Sequence, residues 1–139
     1  MAQPVINYLA VLVSAIIGMV IGALWYSPLL FEKLWMKLSG MTEKQLNEAK
    51  KKGMGKMYFI AFIGVLLMSY VLAHFVDYTD SKTFVQGMQT GFWLWLGFII
   101  PVLIGSVLWE NKSFKLYLLN ISHYLVALFI MGGILAVWV

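Results

Sequence analysis

The side chains able to do chemistry in this chain are few and stand in apolar surroundings. Asn7, Ser14, Ser69, His74, Gln86, Gln89, Thr90, Ser106, Asn120, Ser122 and His123 interrupt long runs of aliphatic and aromatic residues. They supply hydrogen-bonding groups and two imidazoles, but no carboxylate inside the runs. With no cysteine in the chain there is no thiolate nucleophile and no thiolate metal ligand. Ser122 and His123 are sequence neighbours, so on a helix they point to different faces and form no nucleophile–base pair with a third orienting group. Glu110 sits beside Trp109 and Lys112, as an interfacial anchor would. Enzymatic function is therefore not expected. His74-Phe-Val-Asp77 has a metal-like spacing, but two such residues near a helix end are expected to be interfacial polar groups. No metal and no other cofactor is expected.

The apolar runs themselves decide the architecture. Four cover roughly residues 5–26, 57–76, 84–108 and 114–138, the last reaching as far as Val139. Each has about twenty residues or more, enough for an α-helix to cross a hydrocarbon core of ~30 Å. All the Asp, Glu and Lys residues lie in the connections or at the edges of these runs. Hydrophobic residues make up 62% of the chain and charged residues 12%. A soluble domain, nearer 45–50% and ~25%, could not bury that surplus, whereas a bilayer requires no burial. The expected fold is all-α and polytopic, a single domain of four transmembrane helices over residues 1–139. The first run is too long for a cleavable signal peptide and is followed by Trp25, Tyr26 and Pro28, so it is expected to remain.

Between the first two runs, residues 29–52 are expected to form one or two short cytoplasmic helices. Phe31, Leu34, Trp35 and Leu38 recur at helical spacing with charges between them, the pattern of an amphipathic helix lying in the headgroup region. Ser39-Gly40 breaks it. Thr42 and Gln45 then spell a capping box with Met41 and Leu46 at the staple positions, starting a helix that should stop at Gly53 or Gly55.

Charge sets the expected orientation. The ten basic residues are all lysines, and seven of them fall in the first connection. Short lysine-rich loops stay in the cytoplasm, which places both termini outside. Lys33, Lys37, Lys50, Lys51 and Lys52 are candidates to contact anionic lipid headgroups. Beside a membrane this is a simpler reading than nucleic-acid binding, and nucleic acid is not an expected partner. The absence of arginine also argues against a bidentate phosphate clamp.

Depth, counted from the lysine-rich edge, places His123 at ~13 Å, Pro101 at ~12 Å, Ser14 at ~16 Å and Ser69 at ~17 Å. Pro101 has no amide, so the Gly97 carbonyl loses its helical donor, and the His123 ring is expected to supply one. Asn120 lies on the same face as His123. His123, Asn120, Ser14, Ser69, Gly97 and Pro101 are thus a candidate buried polar layer. It can be read as hydrogen-bonding between helices or as a ligand or proton site. Gly18, Gly22, Gly87 and Gly91 fall at small-xxx-small spacing and are candidates for close helix packing, mostly within one subunit. Trp93 and Trp95 lie deep in the third run and are expected to pack on another helix or another subunit.

Several blocks together resemble a known family. They are Leu24-Trp-Tyr-Ser-Pro28, Gly53-Met-Gly-Lys56, Tyr70-Val-Leu-Ala-His74, Gly91-Phe-Trp-Leu-Trp-Leu-Gly97, Gly105-Ser-Val-Leu-Trp-Glu110 and Met131-Gly-Gly-Ile-Leu-Ala-Val-Trp138. They resemble the small bacterial membrane proteins grouped as domain of unknown function 1761, over essentially the whole chain. The resemblance implies a four-span protein of bacterial type, hence of the inner membrane, and brings no activity, substrate or site. The functional expectation is a structural or accessory membrane component acting as a homo-oligomer. The alternative is a small oligomeric channel or transporter with a polar site around His123 and Asn120.

Overall fold

The computed structural model describes residues 4–138, and Val139, the end expected for the fourth run, lies outside them. Among the described residues the chain is helical with no strand. Helix α1 is Tyr8–Trp25, α2 Glu32–Ser39, α3 Glu43–Lys52, α4 Gly55–Tyr78, α5 Phe84–Leu108 and α6 Phe114–Val137. Helices α1, α4, α5 and α6 are long and apolar enough to cross a membrane, as the sequence implies.

Local chemistry fixes most helix ends. Helix α1 starts later than expected because Asn7 is its N-cap, accepting from the Ala10 amide at 3.1 Å rather than sitting inside the span. It stops at Trp25, ahead of Ser27-Pro28. The capping box at Thr42 and Gln45 opens α3, and Gly53, with φ of 86°, closes it. Gly40 closes α2 in the left-handed region, with φ of 78°. A second capping box, Thr83 with Gln86, opens α5 and removes Gln86 from the candidate polar residues of the spans. Ser113 caps α6 by accepting from the Lys115 and Leu116 amides.

The bundle is built around α6. Helices α1 and α4 pack on each other and on α6, while α5 leans almost wholly on α6 and barely touches α4. Of the four spans α6 is the most buried and α5 the least, so α5 is the outlying member. Small residues permit these approaches. A Cβ on Gly87 would collide with the Gly132 carbonyl of α6, and one on Gly91 with the Leu128 carbonyl. A Cβ on Gly18 would press on Met131 and Val65, both at 2.9 Å. All four glycines of the two small-xxx-small motifs thus face neighbouring helices of the same chain. The core joins Ala10 and Val11 of α1, Leu72 and Val76 of α4, and Leu128 and Met131 of α6.

Helix α5 changes its winding at mid-length. A π turn spans Trp95–Ile99, with the Ile100 amide bonded to the Trp95 carbonyl, and short helical turns follow at Ile100–Leu103 and Gly105–Leu108. Pro101 explains the irregularity. Its ring clashes with the carbonyl four residues back and it brings no amide, so the helix widens just ahead of it.

Candidate functional site

The His123 ring lies between α6 and the end of α1. From α1, Trp25 donates its indole N–H to the Leu119 carbonyl at 3.2 Å. The Tyr26 hydroxyl donates to Asn120 Oδ1 at 2.7 Å. The imidazole of His123 sits among the rings of Tyr124, Tyr26 and Trp25, with centroids 4.8, 5.4 and 6.3 Å away. Its Nε2 is buried with no partner among the described residues. It faces Gly22, where a Cβ would lie 3.1 Å away, so the missing side chain of that glycine makes room for the ring.

The six residues of the expected layer therefore do not meet. His123 and Asn120 share one site. Ser69 is buried on the α1–α4 contact and donates to the Val11 carbonyl at 2.8 Å. Ser14 is fully buried, and its hydroxyl has no partner among the described residues. Gly97 and Pro101 are exposed on α5, and a Cβ on Gly97 would touch nothing within 4 Å. The His123 ring thus serves neither of them. His123, Pro101, Ser14 and Ser69 would share a level only if the span ends were level. In the fold, His123, nine residues into α6, lies against Gly22, three residues before the end of α1. Helix α6 therefore overruns α1 by about 9 Å at 1.5 Å per residue, alongside α2, which packs on it. Ser14, eight residues back along α1 from Gly22, is about 12 Å away from the His123 level.

Two donors missed in the sequence join α5 to α6. The Trp95 indole donates to the Ile121 carbonyl at 2.7 Å, and the Tyr117 hydroxyl to the Ile100 carbonyl at 2.8 Å. The second reaches a carbonyl beside Pro101 that already accepts from the Ile104 amide, so it does not replace the donor that the Gly97 carbonyl loses. A third cluster closes the end opposite α2 and α3. There Thr79, Ser81 and Thr90 hydroxyls lie 2.8 to 3.1 Å apart, tying the α4–α5 turn to α5. Close by is a cleft of about 430 Å³ lined by Asn7, Asp77, Asp80, Lys82 and Trp138 among others. His74 turns Nδ1 to the Tyr70 carbonyl of its own helix at 2.8 Å and packs between Tyr70 and Tyr78.

Chemically, the His123 site offers an imidazole, two phenols and a carboxamide with no carboxylate. These groups can hold a proton or a small polar group. Among the described residues no three His, Cys, Asp or Glu side chains gather where a metal could be held.

No curated protein and no solved structure matches the chain. A family model described as "Protein of unknown function (DUF1761)" matches residues 9–136. With nearly the whole four-helix chain covered by that match, the protein belongs to the DUF1761 family.

Proposed function

We propose that this chain is a structural or accessory component of the bacterial cytoplasmic membrane that works as a homo-oligomer and not as an enzyme. The observation that carries the reading is the position of α5. It leans almost wholly on one helix of its own chain and is the least buried of the four spans, which leaves a face open for a partner. Most polar groups in the spans are already used in contacts between or within helices, which suits a scaffold better than a catalyst. Loop charge supports both termini outside, with α2 and α3 on the anionic cytoplasmic leaflet. Lys33, Lys37, Lys51 and Lys52 are exposed there for headgroup contact, while Lys50 also reaches Glu32 at 3.4 Å and ties α3 to α2.

Native mass spectrometry from mild detergent tests the assembly. The expected result is a multiple of 15.8 kDa. Monomer alone at every concentration would remove the reading. The unpartnered His123 Nε2 favours a second reading, a small oligomeric channel or transporter with Asn120 and His123 at its polar site. Flux of protons or small ions through liposomes holding the wild-type chain, lost in His123→Leu with assembly intact, would select that reading instead.

A further inference from the structure

The outward face of α5 carries a surplus donor and surplus acceptors at mid-membrane. Trp93 lies nine residues from the Phe84 end of the helix, about 14 Å into a core of ~30 Å. It is 66% exposed. The indoles of Trp25 and Trp95 find carbonyls on α6, but no described residue accepts from Trp93. An indole N–H in hydrocarbon without an acceptor is costly, and tryptophan ordinarily sits where its N–H is wet or bonded.

The acceptors lie one turn further on. The Ile100 amide is taken by the Trp95 carbonyl, and the Ile104 amide by the Ile100 carbonyl. Pro101 has none. The four carbonyls of Leu96 to Ile99 are left with two amides, those of Val102 and Leu103. Carbonyls are therefore left over where no water can serve them. The same stretch is open to approach. Gly97 and Pro101 are exposed, Val102 is 67% exposed, and a side chain at Gly97 would meet nothing of its own chain.

We infer that this face is a self-complementary contact with a second copy of the chain. The two α5 helices cross closely at Gly97, and each Trp93 indole N–H donates to the surplus carbonyls at Leu96–Gly97 of the other copy. A two-fold contact of this kind gives each indole an acceptor, and each defect a donor for one of its two surplus carbonyls, with one set of residues. Small residues let the backbones approach, as such crossings require. The inference rests on the homo-oligomer reading and specifies its interface. The occupant is a second copy and not a lipid chain, because an acyl chain offers neither an acceptor for the indole nor a donor for the carbonyls.

The natural absence of cysteine allows single-site labelling. Full-length chain carrying Asn47→Cys is labelled with donor or acceptor dyes and reconstituted in liposomes, and energy transfer is followed as protein is diluted in lipid. Trp93→Phe keeps the ring and removes the donor. It is expected to weaken association about tenfold, from two bonds at roughly threefold each. Gly97→Leu blocks the crossing and is expected to abolish transfer. Unchanged association in both variants, with the wild type still oligomeric, would overturn this interface and leave the homo-oligomer reading standing. A monomeric wild type at all dilutions would overturn both. If the variants fold poorly, oxidation of Leu96→Cys in an otherwise natural chain is expected to give a linked dimer. Cross-linking from Ile60→Cys on the exposed side of α4, and none from Leu96→Cys, would place the contact elsewhere and defeat the proposal.

Discussion

Gly87→Ala tests the packing of α5 on α6 directly. A Cβ at this position collides with the carbonyl of Gly132 and comes within 2.8 Å of the Ala136 side chain. The obstacle is backbone, so no rotamer change relieves it, and α5 must withdraw from α6. Overpacking of this kind costs about 1–3 kcal/mol. Withdrawal also stretches the Trp95–Ile121 and Tyr117–Ile100 hydrogen bonds, now 2.7 and 2.8 Å. Such bonds between membrane helices are worth about 0.6 kcal/mol each. The total expected loss is about 2–4 kcal/mol. Gly64→Ala is the matched control, because nothing lies within 4 Å of its added methyl. Removing that glycine should leave stability unchanged or raise it by about 0.4–1 kcal/mol. Unfolding of both variants is followed by circular dichroism and tryptophan fluorescence as SDS replaces a mild detergent. If Gly87→Ala unfolds at the same SDS fraction as Gly64→Ala, α5 does not approach α6 as described.

Three further outcomes are expected. Cysteine replacing Asp80 should react with an impermeant thiol reagent in intact cells and cysteine replacing Asn47 should not, and the opposite pattern would invert the topology. His123→Leu should cost under about 1 kcal/mol in the same SDS titration, because the buried Nε2 loses no partner; a loss of ~3 kcal/mol would mean that the ring makes a bond absent from this structure. Tyr26→Phe removes the 2.7 Å bond to Asn120 and should cost about 0.6–1 kcal/mol, whereas Asn120→Ala added to it should cost little more, a coupling that a double-mutant cycle measures.

Much of the architecture is legible in the sequence because the bilayer imposes it. Span number, the capping box at Thr42, the break at Gly40 and the stop before Pro28 all follow from length, period and turn chemistry. Thr83 and Gln86 carry the same T-x-x-Q signal as Thr42 and Gln45, so the cap of α5 was readable too, as was Asn7 ahead of α1. Axial register was not. Nothing in the run of apolar residues says that α6 passes the end of α1, so His123 and Gly22 could not be paired by counting from the span edges. The placement of the proline defect was half readable. Pro101 announces a missing amide, but the π turn ahead of it decides which carbonyls are left over.

The harder part of the site has a common physical cause. Trp25, Trp95, Tyr117 and Ser69 all donate to main-chain carbonyls of a neighbouring helix, namely those of Leu119, Ile121, Ile100 and Val11. A helical carbonyl has a second lone pair after its own amide is bonded, so any residue type can be the acceptor. Donors are visible in a sequence and acceptors of this kind are not. Tyr26 and Asn120, by contrast, are two complementary side chains bonded at 2.7 Å, and Asn120 already stood out as polar. The same economy bears on function. A donor bonded to a neighbour's backbone holds two helices together whatever side chain stands opposite, and it is then unavailable to a substrate. Once Trp25, Trp95, Tyr117 and Ser69 are committed in this way, the buried polar atoms without partners are the hydroxyl of Ser14 and the Nε2 of His123 among the described residues. A serine can bond back to its own helix at the cost of a rotamer change. An imidazole nitrogen facing Gly22 has no such local recourse. His123 is therefore the buried candidate for a role beyond assembly, and a flux lost in His123→Leu but retained in Ser14→Ala is the result that would place it there.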